Sequence, residues 1–301
     1  MIPDIYNKHN VYNKELDDCL IEHLEVSFSN MCNQQCLMCN SENSSKWYKF
    51  DFNNTNNDFK RDAKKYRKFS DKNLNKIIEI LPQLKLLVIK GGEPLIHEEV
   101  KIILNYIKKN NLNTYIRIVT NFQEVSEEIM SVISSLKKLN ITVSLDSTGE
   151  RYNWIRGGNW EKTIDNIKKF SKECKFCSLG YANTLNRWSL KHLIDDIEIV
   201  ENVNHSIFGD KNLNSYYNIL PVLGPQYTSP FLISIEERID FIIKFEQKFG
   251  PILKNSIQYK SLTLNHLDTI LSLEKQPFEI TPKLLEISNM WKNIIDGMRK
   301  K

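Results

Sequence analysis

The sequence predicts an α/β fold: an incomplete (β/α)6 barrel of the TIM type, followed by a C-terminal helical cap. Three observations carry that prediction. Strand-like and helix-like runs alternate from His23 to about Asn204, the pattern of a parallel sheet with helical crossovers. At least two strands turn a polar face away from the helices, whereas a closed eight-stranded barrel fills its interior with branched apolar side chains. Beyond Leu220 the alternation stops, and Pro221, Gly224, Pro225 and Pro230 mark an irregular connector.

In chain order, the expected strands are His23–Ser29, Leu84–Ile89, Tyr115–Thr120, Ile141–Leu145, Phe176–Ala182 and Tyr216–Leu220. The first places Leu24, Val26 and Phe28 opposite Glu25, Ser27 and Ser29. The fourth places Ile141, Val143 and Leu145 opposite Thr142, Ser144 and Asp146. Helical stripes with apolar residues three and four apart fill the intervals, among them Val100, Ile103, Leu104 and Ile107, and Ile129, Val132, Ile133 and Leu136. Such stripes cover the outer face of the sheet and leave a concave polar side for a polar ligand. In the cap, Ser234 and Glu237 have capping-box spacing and Gly250–Pro251 reads as a helix stop. A last helix is expected from Thr281–Pro282 to near Gly297. The resulting boundaries are an extension over 1–22, a core over 23–220 and a cap over 221–301. Asn53–Asn57 reads as a loop tip, and the basic stretch Lys60–Lys68 as a solvated helix face ahead of a contact for a phosphate-bearing partner.

Composition narrows the function classes. With 301 residues, 41% hydrophobic and 26% charged, the chain has the makeup of a globular protein. Its net charge of +4 is too mild to argue for a nucleic-acid partner. No apolar run approaches the ~20 residues of a membrane helix, and the N-terminus lacks the charged and apolar regions of a signal peptide. A reducing cytoplasm is therefore the expected compartment, where six cysteines are better read as metal ligands or core thiols than as disulfides.

Cys32, Cys36 and Cys39 form C-x3-C-x2-C directly after the first strand. Three thiolates on one loop can ligate three irons of a cubane and leave the fourth iron open. The competing reading is zinc, which wants four ligands. The other C-x2-C pair, Cys174 and Cys177, stands far along the chain. At ~3.3 Å per residue it falls about 20 Å from the strand end at Asn183, toward the opposite rim. Cys19, Cys174 and Cys177 are therefore expected to be core or incidental thiols.

CNQQCLMC after the first strand, with Gly91-Gly92-Glu93-Pro94 after the second, resembles the radical S-adenosylmethionine (SAM) superfamily. SNMCNQQCLMCNSENSSKW, KGGEPL and VSLDSTGERYNWIRGGNW look like its SPASM- and twitch-associated branch. The resemblance spans roughly Glu22 to Asn204, with a weaker echo at Tyr227–Ile239. It departs in two places. Met38 stands where the superfamily usually has an aromatic residue, and the further cysteines of auxiliary clusters are missing, so none is expected.

The resemblance implies a [4Fe–4S] cluster on Cys32, Cys36 and Cys39 with SAM chelated at the open iron. It also implies an external electron donor and a substrate that loses a hydrogen atom. Peptides or proteins lead among substrates, with small metabolites and nucleotides behind. Met38 is expected against adenine, Gly91 and Gly92 close to the methionyl end of SAM, and Glu93 at its ammonium. Ser144 is expected near the methionyl group, Asp146 near the ribose hydroxyls, Arg156 at the carboxylate, and Asn121 and Asn183 at ribose or adenine. Several of these residues also suit plainer roles: a strand-to-helix turn for the Gly-Gly-Glu-Pro, a loop start for Asp146, a surface arginine, strand-end asparagines. None of the six histidines forms a pair at metal-ligand spacing.

Overall fold

A computed structural model describes residues 20–65, 69–174, 178–208, 216–255, 258–259 and 262–300. Six parallel strands lie side by side in chain order: β1 (His23–Val26), β2 (Leu86–Ile89), β3 (Tyr115–Thr120), β4 (Leu139–Ser144), β5 (Ser178–Leu185) and β6 (Tyr216–Pro221). β1 and β6 are not paired with each other, so the sheet is an unclosed barrel, as expected.

The register shows why the sequence folds this way. Val26, Ile89, Ile118, Ile141 and Leu179 pair in one row across the first five strands, and all are buried. One residue back, Glu25, Val88, Arg117, Asn140 and Ser178 form the neighbouring row. Successive strand residues point to opposite faces, so the apolar row meets the helices and the mostly polar row lines the concave side. The helices α2 (Asp71–Ile80), α3 (Glu98–Lys109), α4 (Glu127–Ser135), α6 (Trp160–Glu173) and α7 (Leu193–Phe208) follow the predicted stripes. Val100, Ile103, Leu104 and Ile107 of α3 are each no more than 3% exposed. Hydroxyl or amide caps start three of these helices: Ser70 accepts from Asn73 N–H, Ser126 from Ile129 N–H and Asn159 from Lys162 N–H.

Several boundaries differ from expectation. β1 stops at Val26 because Ser29 Oγ accepts the Met31 N–H and turns the chain into the cysteine loop. β5 runs on to Leu185, paired with Pro221 at the end of β6. Phe176, where that strand was expected to start, lies outside the described residues, as do Cys19 and Cys177 and most of the 1–22 extension. A helix absent from the sequence reading, α5 (Gly149–Arg156), ends on Gly157 in the left-handed region, φ 63°. Lys60–Lys65 is not helical, and Lys64 N–H instead donates to Ser41 Oγ; the rest of that basic stretch lies outside the described residues. Asn54 and Asn56 make the expected turn after α1 (Tyr48–Asn53), accepting N–H groups two residues on. Cys174 is disulfide-bonded, not the free thiol expected.

In the cap, α8 (Ile235–Asn255) runs through Gly250–Pro251 where a stop was expected. Phe249 and Leu253, at 3% and 0% exposure, bury the turn on either side of the proline and offset its missing N–H. Ser234 caps Glu237 N–H, but the Glu237 carboxylate pairs with Lys191 instead of completing a capping box. A short hairpin, β7 (Gln258–Tyr259) and β8 (Leu262–Thr263), leads to α9 (Leu264–Leu271). The final helix, α10 (Pro282–Arg299), starts on a Thr281 cap as expected and extends past Gly297. Among the described residues no helix is long and apolar enough to cross a membrane.

Candidate active site

The loop after β1 carries Cys32, Cys36 and Cys39, all free; Cys36 is buried and the other two are half-buried. Side chains from elsewhere hold the carbonyls of this loop. Ser44 Oγ donates to Gln34 O at 2.6 Å, Arg299 to Gln35 O at 2.6 Å and Trp47 Nε1 to Cys36 O at 2.9 Å. Trp291 Nε1 donates to Leu37 O at 3.1 Å and Arg61 to Cys39 O at 2.7 Å. The N–H groups of Gln35 and Leu37 reach back to the carbonyls of Arg156 and Ile155 at the end of α5. A second apolar cluster lies beneath, built of Leu37, Trp47, Phe59, Ile155, Tyr227, Trp291 and Ile295, with Met38 packed at its edge.

The Gly91–Pro94 turn lies directly on this loop. Gly91 and Gly92 have φ +86° and +55°. A Cβ on Gly91 would stand 1.8 Å from Ser27 Oγ, and one on Gly92 2.3 Å from Met31 O. Both need glycine for handedness and for close approach. Glu93 N–H donates to Met31 O at 2.8 Å. The Glu93 carboxylate is fully buried and ties the turn to the end of β3: Thr120 Oγ1 and Leu95 N–H reach one oxygen, Asn121 N–H the other. Burial pushes its pKa up against the pull of those donors. Asn121 Nδ2 in turn donates to Asn33 Oδ1 at 2.7 Å, joining β3 to the cysteine loop.

On the other flank, Asp146 and Arg156 meet each other. Arg156 Nη1 lies 2.6 Å from Asp146 Oδ2, and Asp146 Oδ1 accepts the Thr184 N–H at 2.8 Å. Arg156 Nε donates to Gln34 Oε1 at 3.0 Å, and the Gln34 amide nitrogen reaches Tyr152 Oη at 3.0 Å. Gln34 is therefore a fully buried link between the cysteine loop, α5 and β4. Ser144 stays half-buried on the concave row. Asn183 shares the face of Tyr181 and Leu185, the helix-facing side, and donates to Tyr217 Oη at 3.3 Å. The structure thus gathers Gly91, Gly92, Glu93, Asn121, Asp146 and Arg156 around the cysteines and turns Asn183 away.

The donor set suits a cluster. The Cys36 thiol is lowered to about 7, first by a hydrogen bond from Cys39 and further by the Arg156 guanidinium, against its own burial. Burial and the neighbouring Cys36 push Cys32 up to about 11. The Cys39 thiol is raised by its hydrogen bond to Cys36 and by burial, so metal binding must displace protons. Among the described residues no three His, Cys, Asp or Glu side chains converge closely enough to hold a single metal ion. A tetrahedral zinc site needs that convergence. A cubane does not, because each thiolate takes its own iron.

Sequence reasoning missed Gln34, Trp47, the Arg61–Asp51 pair, Asp196, Trp291 and Arg299. Asp196, buried in α7, accepts from Ser147 and Thr148 at 2.7 and 2.6 Å and anchors the loop after β4. Gln34 had one signal, its place between two metal-ligand candidates, Cys32 and Cys36; the others had none.

Residues 26–197, more than half of the chain, match the model of the radical SAM superfamily. No match was found among curated protein sequences. Among solved structures, Streptococcus suis SuiB bound to S-adenosylmethionine is similar at 14% identity and a TM-score of 0.50, over 76% of this chain and 48% of SuiB. The same protein bound to its precursor peptide SuiA aligns at 13% identity and a TM-score of 0.50, over 93% of this chain and 66% of SuiB. Native anSMEcpe with bound AdoMet and Cp18Cys peptide aligns at 15% identity and a TM-score of 0.52, over 79% of this chain and 62% of that one. This chain spans about half to two thirds of the length of these structures.

Proposed function

Because this chain belongs to the radical SAM superfamily, we propose that it reductively cleaves S-adenosylmethionine and abstracts a hydrogen atom from a peptide or protein side chain. The observation that carries the reading is the single loop with three free cysteines, its carbonyls held by side chains from elsewhere in the fold. A [4Fe–4S] cluster held on Cys32, Cys36 and Cys39 would supply the electron for reductive cleavage of SAM and so the means of hydrogen abstraction.

Cys32, Cys36 and Cys39 are the ligands. Gly91 and Gly92 bring the backbone of their turn onto the cysteine loop, where the methionyl end of SAM is to be held. Glu93 already accepts three donors and keeps one acceptor site for an ammonium. Asn121, Ser144 and Met38 complete the SAM contacts of this reading. The Asp146–Arg156 pair divides the work differently from the sequence reading: each neutralises the other, and together with Gln34 they brace the loop. Two donors leave the carboxylate acceptor capacity, and two bonds leave the guanidinium N–H groups, so a ribose or carboxylate contact from either adds to these bonds. The peptide class is favoured because SuiB and anSMEcpe, similar in fold, have been solved with peptides bound.

Anaerobic reconstitution with iron and sulfide tests the reading. About four irons per chain, an EPR spectrum of the reduced cluster that moves on adding SAM, and formation of 5′-deoxyadenosine are expected. Cys36→Ala should abolish all three. A reduced cluster indifferent to SAM overturns the proposal, and turnover of small metabolites but no peptide overturns the substrate class.

A further inference from the structure

Resting on the reading that Cys32, Cys36 and Cys39 hold a cluster, we propose that Gln34 is a positioning residue that aims the Arg156 guanidinium at Cys36 and thereby raises the cluster's reduction potential. Gln34 lies between the first two cysteines and is fully buried. Its side-chain oxygen accepts the Arg156 Nε–H at 3.0 Å, and Cys36 Sγ lies 3.9 Å from that same oxygen. A cation and a ligand sulfur therefore meet at one atom.

The direction of the amide is dictated from behind. Thr163 Oγ1 donates to Asn159 O at 3.1 Å, so toward Tyr152 Oη, 3.0 Å away, it can only accept. The Tyr152 hydroxyl thus gives its proton to Thr163 and accepts from Gln34 Nε2 at 3.0 Å. Gln123 Oε1, which accepts the Asn159 N–H at 2.5 Å, takes the second amide proton at 3.3 Å. With both amide protons held on that side, the carbonyl faces Arg156. A Cβ at Gly158 would stand 2.3 Å from Gln34 Nε2, so that glycine leaves the amide its room.

A carboxylate would accept from Arg156 as well; what the amide adds is neutrality. Among the described residues Asp146 is the one anion bonded to Arg156. It reaches this network only through the guanidinium, Nη1 to Oδ2 at 2.6 Å, one contact further from the sulfur. The nearer charge is positive, and a nearby positive charge favours a cluster that has gained an electron. On reduction the cluster takes one electron from the donor, with no bond made or broken.

The test is an EPR-monitored redox titration of the reconstituted chain without SAM, with dithionite and mediators setting the potential. Gln34→Glu places a negative charge at the same acceptor. At a fixed potential its ratio of reduced to oxidised cluster should fall at least about tenfold, or 59 mV for one electron. Gln34→Met releases Arg156 without adding charge and should fall in the same direction by less. Arg156→Met/Asp146→Asn removes cation and anion together and should fall at least about threefold. Lys137→Glu/Lys138→Glu, a pair of charge reversals at the start of β4, should titrate as wild type. A wild-type midpoint in Gln34→Glu or in the Arg156/Asp146 variant, or an equal fall in the lysine control, overturns the proposal. Loss of the cluster in every Gln34 and Arg156 variant also overturns it, because the network is then structural alone. A wild-type cluster whose spectrum is unmoved by SAM overturns the proposed function instead and leaves these midpoints readable.

Discussion

Arg61 is the sharpest place to perturb the cysteine loop. Its guanidinium lies 2.6 Å from Asp51, and the two side chains are 13% and 0% exposed. The contact is off the hydrogen-bonding line, so the attraction is coulombic. Arg61 also donates to Cys39 O and stacks over Trp47 and Trp291, with centroid distances of 4.8 and 5.2 Å. Asp51 accepts the Ser41 N–H at 2.7 Å, so the pair grips both sides of the loop's exit. Arg61→Met keeps a similar apolar stem but strands a buried carboxylate, a loss of about 3–5 kcal/mol for a fully buried pair. Partial exposure of Arg61 places the expectation near the lower end, about 3 kcal/mol, with the lost cation–π and carbonyl contacts inside that figure. Arg61→Met/Asp51→Asn removes the orphan charge while keeping an acceptor for Ser41. It should recover at least about 1 kcal/mol relative to the single variant. Urea unfolding of the iron-free chain measures both. A cost below about 1 kcal/mol for Arg61→Met, or a double variant no better than the single one, refutes the clamp.

Three further outcomes follow from the same geometry. Trp291→Ala should cost about 3–5 kcal/mol in urea unfolding, and Trp291→Phe about 1–3 kcal/mol, the latter from leaving Leu37 O without its donor. Gly92→Ala, which drives a Cβ to 2.3 Å from Met31 O at φ +55°, should reduce cluster occupancy and the SAM-induced EPR change, while Gly149→Ala, equally strained at φ +54° but with open space around it, should disturb both much less. Burial lowers the pKa of His97 from 6.5, so the folded state disfavours its charged form. Its contribution is present above pH 6.5 and lost as pH falls through the lowered folded value. The stability of His97→Gln should therefore fall less than wild type over that range; an identical slope refutes the assignment.

The strand and helix pattern was legible because each element records its own burial. Val26 and Ile141 alternate with polar neighbours in the sequence, and that alternation survives as facing rows in the sheet. The cysteine spacing and the Gly-Gly-Glu-Pro were legible for a related reason. Ligands and turns a few residues apart keep their relation wherever the rest of the chain goes. Gly250–Pro251 misled because a helix stop is a local tendency, and the packing of Phe249 and Leu253 outweighs it.

Partnerships across the fold had no such trace. Trp291 and Leu37 stand 254 residues apart, and only the docking of α10 brings that indole to the cysteine loop. Asp146 and Arg156 each read as separate ligand contacts, and only the fold shows that α5 turns the arginine onto the aspartate. Asn183 read as a site residue until the register of β5 and β6 placed it with Tyr217 on the helix side. Periodicity and motif spacing are written into neighbouring residues, so the chain alone declares its sheet, its helices and its trio of thiols. Which buried donor meets which buried acceptor depends on how distant surfaces close together, and only the folded molecule settles that.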